Sequence, residues 1–494
     1  MMKRLTTPLL IILSAILSGL LPACNKMEEH YSSNPNLRLS FSRDTLTFDT
    51  VFSTIGSATR QFMIYNRNKE PLNIETILLA SGGTTGFRIN VDGRKGDTFS
   101  NIGIQDNDSL YVFVEVKVDP NGQNQPLLVE DSVVFSVNGI RQSVLLEAYG
   151  QDVHLWKEGV TLNGDITLAA DRPYLIYDSL VIAPEAHVTI EKGATFYLHD
   201  KAHIEVYGSL EANGTQDKPI TFRGDRLDNL LDKLPYDRTP GLWRGFTFHP
   251  ASFHNTLNHT LIRNGQYGIA CLTSTPDKPK LTISNSQITN VKGNLLSAVN
   301  CQISVHNSEL SNACGAVVGL VGGNYDFTHC TIANFMTIAK VDSLEKVCVA
   351  LANQLSKTEK YPLTVRFSNT IIDGNNREEL TRSAMDESET FDYQFTHCLI
   401  KSRGGVKADE HFTNCLIQNW GPTYISRGGN DKDYLFDFRF AADTTAGVGL
   451  ADPAIAAKFP IDRLGVNRLE SEKGPSMGAY EYVKRERETE TDKK

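Results

Sequence analysis

Cysteine is scarce in this chain, and the spacing typical of a disulfide framework is absent. Of the eight cysteines in 494 residues, seven follow Cys24, and none forms a Cys-x-x-Cys pair. An odd number without that spacing favours free thiols. A basic patch is also lacking and the net charge is −9, so nucleic acid is not an expected partner. The apolar run Pro8–Leu21 is too short for a stable membrane span.

The first residues nevertheless have the layout of an export signal. Lys3 and Arg4 precede the apolar run, which ends in Leu21-Pro-Ala-Cys24. This tetrapeptide resembles the bacterial lipobox, which implies a signal peptide at residues 1–23, cleavage before Cys24, and acylation of that cysteine. Several acyl chains, each worth about 0.8 kcal/mol per buried CH₂, would hold the chain to a lipid bilayer. The alternative is an ordinary secretory signal.

Residues 24–37 are polar and predict a tether between lipid and fold. Within them, Asn25-Lys-Met-Glu-Glu-His30 resembles the signal that sends some Bacteroidetes lipoproteins to the outer face of the outer membrane. The expected location is therefore the outer membrane, lipid-anchored and facing the cell exterior. Display toward the periplasm stays open.

A seven-residue phrase recurs through the second half of the chain. It has Asn or His at its second position, Ser, Thr or Cys at its third, and Ile or Leu at its fifth. The copies occupy residues 258–264, 284–290, 306–312, 328–334, 368–374, 396–402 and 413–419. A period near 22 residues with loop insertions indicates a solenoid.

Short alternating apolar stretches precede the copies, and no helical pattern separates them. A coil of about 22 residues has room for three short strands and three bends, stacked as a parallel sheet wound on itself. We expect the asparagines to form a hydrogen-bonded ladder and Cys330, Cys398 and Cys415 to stack in one column. Metal binding by His329-Cys330 and His397-Cys398 is the less favoured alternative, because adjacent strand residues face opposite sides.

Residues 38–150 have a different pattern. Leu110–Val118 alternates and places Val112, Val114, Val116 and Val118 on one face, and Asn138-Gly139 joins two strand-like runs as a hairpin. Several such strands suggest a β-sandwich. Phe48–Phe52, Phe62–Asn66 and Leu72–Ile77 resemble the immunoglobulin-like modules of exported Bacteroidetes proteins, which implies a spacer or adhesive role.

Residues 151–482 open with Leu180–Gly193 and Ala202–Gly208, which look like the first coils of right-handed parallel β-helix proteins of bacterial surfaces. Gly193, Gly208 and Gly214 are expected at bends with positive φ. Gly478–Tyr482 resembles a terminal strand. The predicted architecture is all-β: an N-terminal immunoglobulin-like β-sandwich followed by a right-handed single-stranded parallel β-helix. We expect residues 430–482 to cover one end of the solenoid, and residues 483–494 to form a charged tail.

Catalysis was tested against the signatures of related folds. The Asn-Thr-Asp, Asp-Asp, Gly-His-Gly and Arg-Ile-Lys motifs of pectin-cleaving β-helix hydrolases do not occur. A lyase would need acidic calcium ligands beside an Arg or Lys base. The best candidate is an insertion, predicted to be one long loop, with acids, arginines and aromatics: Arg223, Asp225, Arg226, Tyr236, Asp237, Arg238, Trp243 and Arg244.

Two further stretches carry weaker signals. Trp420, Tyr424 and Arg427 have the residue types to stack a sugar ring, although they fit a cover over the coils better. Asp431, Asp433 and Asp437 suggest calcium without the glycine and distal glutamate of an EF-hand. The interruption 335–362 contains a run, 344–353, that fits either a strand or a short helix.

Two functions remain. The first is a non-catalytic surface lipoprotein that binds a glycan or a protein, motivated by the lipobox and a solenoid without assembled catalytic motifs. The second is a carbohydrate-active enzyme, a polysaccharide lyase or hydrolase, that uses residues 223–244. No cofactor is expected, and calcium is the alternative.

Overall fold

A computed structural model describes residues 30–231, 234–337, 347–428 and 435–484. They form two compact units: one holds the described residues up to Asp119 together with Leu128–Gly150, and the other holds Pro120–Leu127 and the residues from Gln151 onward. Cys24, the predicted signal peptide and most of the predicted charged tail lie outside the described residues. Among the described residues, no helix is both long and apolar enough to span a membrane.

The first unit consists of two five-stranded sheets with strand orders β1-β3-β8-β5-β6 and β2-β10-β9-β4-β7. Neighbours such as β3 and β8, or β4 and β7, are antiparallel. The strands are β1 Ser40–Phe41, β2 Thr45–Phe52, β3 Arg60–Tyr65, β4 Leu72–Leu79, β5 Phe87–Val91, β6 Arg94–Gly96, β7 Thr98–Ile104, β8 Ser109–Val116, β9 Leu127–Val137 and β10 Ile140–Gln151.

The two sheets face each other across one core. Their inward residues form a single hydrophobic cluster, in which the rings of Phe48 and Phe87, from opposite sheets, lie 5.9 Å apart. The predicted valine face is confirmed, because all four valines from Val112 to Val118 are buried. The hairpin is confirmed too: Asn138 and Gly139 join β9 to β10 with φ of 49° and 74°, as a type I′ turn requires.

The strands of the second unit are mostly parallel and form a stack. They are β11 His154–Trp156, β12 Val160–Leu162, β13 Asp165–Leu168, β14 Tyr174–Ile176, β15 Ser179–Ile182, β16 His187–Ile190, β17 Thr195–Leu198, β18 His203–Val206, β19 Ser209–Asn213, β20 Ile220–Gly224, β21 Asn229–Leu231, β22 Leu234–Pro235, β23 Phe246–Phe248, β24 Asn255–Asn258, β25 Thr260–Arg263, β26 Ile269–Cys271, β27 Pro279–Ser284, β28 Gln287–Val291, β29 Leu296–His306, β30 Glu309–Ala313, β31 Val318–Thr328, β32 Thr331–Asn334, β33 Val349–Ala352, β34 Leu363–Ser368, β35 Ile371–Gly374, β36 Leu380–Ser383, β37 Phe391–Thr396, β38 Leu399–Lys401, β39 Phe412–Thr413, β40 Leu416–Gln418, β41 Tyr424–Arg427 and β42 Phe436–Phe440.

Within the described chain, 28 of these 32 strands build one sheet of eleven strands and one of seventeen, while β21 with β22 and β41 with β42 form two separate antiparallel pairs. The eleven-stranded sheet, here called the outer sheet, runs β11-β14-β17-β20-β25-β28-β30-β32-β35-β38-β40 and receives one strand from each coil. The other two faces of each coil belong to the seventeen-stranded sheet, where the long strands β29 and β31 each span both faces. Coil-to-coil pairing is parallel, for example Phe196 opposite Phe222 and Leu296 opposite Val318. The predicted three-strand coil of a parallel β-helix is confirmed, while its right-handedness stays a prediction.

Like side chains lie above like inside the stack. The rings of Tyr174, Phe196 and Phe222 stack at 4.7 and 4.6 Å, and Phe367 and Phe395 stack at 4.7 Å. Offset stacking of this kind adds to the free energy of burial. The recurring apolar positions of the sequence thus become continuous columns in the core.

The second position of the repeat lies in the left-handed region in every copy. The φ angles are 45° at His259, 50° at Asn285, 48° at Asn307, 51° at His329, 49° at Asn369, 50° at His397 and 52° at Asn414. Asn and His tolerate this region better than most residues, which explains their recurrence. The predicted ladder is confirmed in part, as pairs that include histidine. Asn307 Nδ2 donates to Asn285 Oδ1 at 3.4 Å, Asn369 Nδ2 lies 3.0 Å from His329 Nε2, and Asn414 Nδ2 lies 2.9 Å from His397 Nε2.

The third position forms a second column, made of Thr260, Ser286, Ser308, Cys330, Thr370, Cys398 and Cys415. Its hydroxyls accept hydrogen bonds from the backbone of the preceding coil: Ser286 N–H donates to Ser308 Oγ at 3.1 Å, and Cys330 N–H donates to Thr370 Oγ1 at 3.3 Å. The predicted cysteine column is therefore confirmed, with serine and threonine as its other members.

Two of the three glycine predictions are wrong. Gly193 has a φ of 90°, as expected, but Gly208 and Gly214 do not lie in the left-handed region. At these two positions a Cβ would lie 2.2 Å from Ala186 O and 2.6 Å from His259 O. Close approach of the neighbouring backbone, rather than positive φ, therefore requires glycine there.

The C-terminal segment lies along the side of the stack rather than over its end, which corrects the prediction of an end cover. We call residues 435–484 the lateral cover; it contains β42, a short helix α1 at Pro453–Ala456 and a 3₁₀ helix at Arg468–Glu470. Met477 and Phe440 pack on Ile371 and Leu399. Further back along the stack, Asn307 Nδ2 donates to Ile461 O at 2.9 Å and Gln216 Nε2 donates to Leu464 O. Gly478–Tyr482 forms no strand, contrary to the prediction.

The lateral cover explains why some strands have no exposed face. All five residues of β30 and all four of β32 and β35 are buried. Outward-facing Ala333 and Ile371 belong to clusters formed with cover residues. Apolar residues on both faces of a strand need cover on both sides. In the interruption, β33 at Val349–Ala352 decides for a strand over the described end of the 344–353 run.

Candidate functional site

The predicted 223–244 cluster is not one long loop. Arg223 lies on strand β20, β21 and β22 form a small antiparallel hairpin, and a 3₁₀ helix spans Tyr236–Arg238. The chain then enters the core at Trp243. Asp232, between β21 and β22, lies outside the described residues. The insertion is therefore a small folded element on the side of the stack.

Its central contact is an aspartate between two arginines. Asp237 Oδ1 lies 3.1 Å from Arg223 Nη2 and 2.7 Å from Arg263 Nε. The Arg223 guanidinium also lies 5.8 Å from the ring centroid of Tyr197. Burial lowers the pKa of Arg223 and raises that of the Tyr197 hydroxyl. Arg263, which sequence reasoning missed, comes from the next coil, where its strand β25 pairs with β20.

A second pairing lies on the outside of the insertion. Arg226 donates to both oxygens of Asp228, at 2.7 and 2.6 Å, and its guanidinium lies 4.1 Å from the ring centroid of Tyr236. The hydrogen bond to Asp228 raises the pKa of Arg226. These contacts occupy the groups that would otherwise bind an anionic ligand.

Asp225 belongs to a third group, which includes residues that sequence reasoning missed. Its Oδ2 lies 2.7 Å from His199 Nδ1, and the His199 ring stacks on Tyr177 at 4.3 Å. Burial raises the pKa of the Asp225 carboxyl. The available signal was the register, since Leu198 pairs with Gly224 and so places His199 beside Asp225.

Three further residues complete the predicted set. Trp243 is fully buried, packs on Phe246 at 5.8 Å and donates its indole N–H to Arg263 O at 2.8 Å, so it is a core residue and cannot stack on a ligand. Arg238 is half-buried at the end of the 3₁₀ helix, and Arg244 is exposed. The predicted cluster is thus divided among separate internal pairings.

A groove that sequence reasoning missed lies between the solenoid and the lateral cover. It has a volume of about 380 Å³, and we call it the lateral groove. The solenoid wall consists of position-two residues of the repeat and their neighbours: Gln216, His259, Asn285, His306 and Asn307. The opposite wall belongs to the lateral cover: Lys458, Phe459, Pro460, Ile461, Asp462 and Gly465. The repeated Asn or His at position two of the repeat indicates the residues of the solenoid wall, because His259, Asn285 and Asn307 occupy that position.

The groove combines an aromatic ring with two imidazoles and an ammonium group. The rings of His306 and Phe459 lie 4.9 Å apart. Among described residues, the imidazoles of His259 and His306 have no hydrogen-bond partner, and burial lowers the pKa of both. The Nζ of Lys458 is not in any ion pair with another described residue, and the Lys458 side chain is exposed. The groove therefore offers neutral imidazoles, a ring and one ammonium group.

Among the described residues that line the groove, Asp462 is the one carboxylate, and the backbone engages both of its oxygens. Asp462 Oδ1 accepts N–H hydrogen bonds from Leu464 and Val466, both at 2.8 Å, and Oδ2 accepts from Glu481 N at 2.7 Å. Because both oxygens hold the turn of the lateral cover, Asp462 is a structural residue.

The other predicted clusters divide in the same way. Tyr424 is buried in a cluster with Phe335 and Phe438, and the Arg427 guanidinium lies 5.5 Å from the Tyr424 ring, so these two residues pack against the lateral cover. Trp420 is 65% exposed. Asp431 and Asp433 lie outside the described residues, and Asp437 pairs with Arg439 at 2.5 Å.

The fold defines a parallel β-helix protein with a two-sheet N-terminal unit. No family model matches the chain, and no relative is found among curated proteins. Among solved structures, the chain is similar to pectate lyase Pel9A at 11% identity, over 67% of this chain and 88% of that one, with a TM-score of 0.34. The catalytic domain of a GH87 α-1,3-glucanase is similar at 11% identity, over 72% and 87%, with a TM-score of 0.22.

A family 123 glycoside hydrolase from Clostridium perfringens is similar at 9% identity over 24% of this chain, with a TM-score of 0.17. The match spans only 30% of that hydrolase's own length. These likenesses are too remote to say what this chain binds or catalyses.

Proposed function

We propose that this chain is a lipid-anchored, non-catalytic binding protein whose ligand is a glycan held in the lateral groove. The Leu21-Pro-Ala-Cys24 tetrapeptide supports an anchor through acylated Cys24, and Asn25–His30 supports display at the outer membrane, toward the exterior. The N-terminal unit serves as an immunoglobulin-like spacer that holds the β-helix away from the bilayer.

The lateral groove carries the proposal. A volume of about 380 Å³ falls within the range of small-ligand sites, roughly 300–1,000 Å³. Sugar hydroxyls need neutral donors and acceptors at fixed positions, which His259 and His306 provide. The Phe459 ring adds an apolar surface for the C–H face of a sugar.

The chemistry of the groove favours binding over cleavage. Glycoside hydrolysis uses a pair of carboxyl groups on either side of the scissile bond. Asp462 is the sole carboxylate among the described residues of the groove lining, and its oxygens are committed to three backbone N–H groups. A bound glycan would therefore meet donors, acceptors and a ring, without an acid and base pair.

Calorimetric titration of the detergent-solubilised full chain with a panel of neutral and uronate oligosaccharides tests the proposal. We expect one class to bind, and Phe459→Ala to weaken its affinity by roughly tenfold, the loss of one aromatic contact. His306→Ala should weaken it similarly. His187→Ala, a matched change on strand β16 outside the groove, should leave it unchanged. Absence of binding across the panel, or equal loss in the control, rejects a glycan site in the groove.

One observation favours an enzyme as the second candidate. Burial lowers the pKa of Arg223, the direction that a proton-abstracting base of a lyase requires, although Asp237 pairs with it. Incubation with uronate polysaccharides and calcium, followed by ultraviolet absorbance of unsaturated products, decides the matter. Product formation that Arg223→Ala abolishes would replace the binding proposal.

A further inference from the structure

The last two repeats bring two cysteines together across neighbouring coils. Cys398 and Cys415 occupy the third repeat position, next to strand β38 and strand β40. Thr396 pairs with Thr413 and Leu399 pairs with Leu416, so both flanks of the two cysteines are offset by the same 17 residues. Cys398 therefore lies directly opposite Cys415, and Leu416 N–H donates to Cys398 O at 2.8 Å.

The backbone around the two residues has the same conformation. His397 and Asn414, one residue before each cysteine, have φ of 50° and 52° and share a side-chain hydrogen bond of 2.9 Å. Neighbouring strands of a sheet lie about 4.8 Å apart. A disulfide spans Cα separations of about 4.4–6.8 Å, so the pair lies within reach of a bridge.

The two thiols have similar contacts and differ in character. Cys398 Sγ donates to Phe367 O at 3.4 Å and Cys415 Sγ donates to Phe395 O at 3.4 Å. The neighbouring Cys398 thiol lowers the pKa of Cys415, whereas burial raises the pKa of Cys398. Cys415 is the only one of the seven cysteines in the described residues that is not buried. Cys415 is thus the thiol that a reagent from solvent reaches first, and it is the better thiolate.

Cys330, the remaining cysteine of the column, has no cysteine at the neighbouring column positions. Cys330 lies between Ser308 and Thr370, whose hydroxyls cannot form a disulfide. Cys271 and Cys301 are both fully buried, and the Cys301 thiol donates to Val299 O and Leu272 O. Within the described chain, the last two coils thus place two cysteines directly opposite each other and leave one of them, Cys415, accessible to solvent.

We propose that Cys398 and Cys415 are a disulfide-forming site that closes the last two coils of the solenoid onto each other. The oxidant is an organic disulfide, of the kind found in export compartments. The Cys415 thiolate attacks one sulfur of that disulfide, forming a mixed disulfide and releasing one thiol. Cys398 then loses its proton and attacks the Cys415 sulfur, releasing the second thiol and leaving the bridge.

The bridge would link the two coils at the end of the stack, where the strands are short. Strands β39 and β40 are short, at two and three residues, and they end the two sheets. A covalent link removes freedom from the unfolded terminal coil and so favours its folded form. The site is independent of any ligand in the lateral groove.

Mass spectrometry of the full chain after treatment with oxidised glutathione tests the site. Trypsin should release Cys398 in peptide 383–401 and Cys415 in peptide 408–427, because Lys and Arg flank both and are absent inside them. We expect these two peptides to appear cross-linked in the oxidised sample and separate after reduction. Both peptides remaining separate, or either one joined to a different cysteine, would overturn the proposal.

Serine variants distinguish the first attack, by Cys415, from the second, by Cys398. Serine already occupies this column at Ser286 and Ser308, so Cys398→Ser and Cys415→Ser should fold. Cys398→Ser should trap glutathione on Cys415, and Cys415→Ser should carry none at Cys398, while Cys330→Ser should leave the cross-link intact. Oxidation should also raise the midpoint of thermal unfolding by a few degrees in the wild type and not in Cys415→Ser. If glutathione is found neither on Cys415 of Cys398→Ser nor on Cys398 of Cys415→Ser, the proposed order, in which Cys415 attacks first, is rejected.

Discussion

The same coil is built in two ways along this solenoid. In the early coils, β15 to β18 each bury every second residue and leave the others partly exposed. In the later coils, β30, β32 and β35 are buried on both faces because the lateral cover packs on them. Alternation is thus the intrinsic pattern of a coil, and complete burial marks where a non-repeating segment has been added.

The two regions also differ in how polar groups are held. Outward groups of the early coils form half-exposed pairs such as His187 with Glu211. Under the cover, Arg468 and Glu481 form an ion pair at 2.9 Å with side chains that are 0% and 2% exposed. Half-exposed pairs contribute little, whereas a buried charge that loses its partner is costly.

The largest effect is expected from breaking that buried pair. Arg468→Leu should leave Glu481 buried without its partner and remove the hydrogen bond to Asn307 Oδ1, lowering the free energy of unfolding by about 3–5 kcal/mol. Urea unfolding measures it. Arg439→Leu, in the more exposed pair with Asp437, is the matched control and should cost about 0–1 kcal/mol. Equal losses in the two variants would show that the cover does not isolate Arg468 from solvent.

Truncating an outward leucine under the cover comes next. Leu399→Ala should cost about 2–5 kcal/mol because Leu399 is 0% exposed between the coil and Phe440, and the change leaves a cavity. Val181→Ala, at an outward position of the early strand β15, should cost less than about 1 kcal/mol. Chemical denaturation of both variants gives the comparison, and a cost at Val181 that matches Leu399 would remove the distinction between the two regions.

A buried acid in the later coils predicts a dependence on pH. Burial raises the pKa of Glu379 to about 7, above its ordinary 4.5. Because the folded state favours the protonated form, this stabilisation is complete below about pH 4.5 and is lost as the pH rises through 7. Over this pH range the free energy of unfolding falls by roughly 3 kcal/mol.

Unfolding of wild type and Glu379→Gln between pH 4 and pH 8 isolates the contribution. The amide is uncharged, like the protonated acid. Cys348 N and Asn376 N donate to different oxygens of Glu379, so the amide keeps one of these two hydrogen bonds and the resulting cost is the same at every pH. We expect the difference in stability between the two proteins to shift in favour of the variant as the pH rises. A difference that stays constant over this range would place the pKa of Glu379 near its ordinary value.

Periodicity in the sequence was enough to predict the coil, its three strands and the columns at positions two and three, because each of these depends on neighbours one repeat away. The same reasoning did not find the lateral cover or the lateral groove. Ile461 and Asn307, or Gly478 and Asn369, are brought together by packing of a non-repeating segment, and no local pattern encodes that. Trp243 was misassigned for a related reason: an aromatic residue at the end of an insertion gives no sign of whether it returns to the core.

The candidate cluster at 223–244 gives the smallest expected effect and tests whether its charges are merely structural. Arg226→Ala removes a two-point hydrogen bond to Asp228 and a contact with Tyr236, yet Arg226 is 44% exposed and its pair is screened by solvent. We therefore expect a loss of less than about 1 kcal/mol in the free energy of unfolding. Glycan affinity should not change, because Arg226 does not line the lateral groove. Calorimetric titration of this variant beside Phe459→Ala would place the ligand: loss of binding in Arg226→Ala alone would transfer the site from the groove under the cover to the insertion on the early coils.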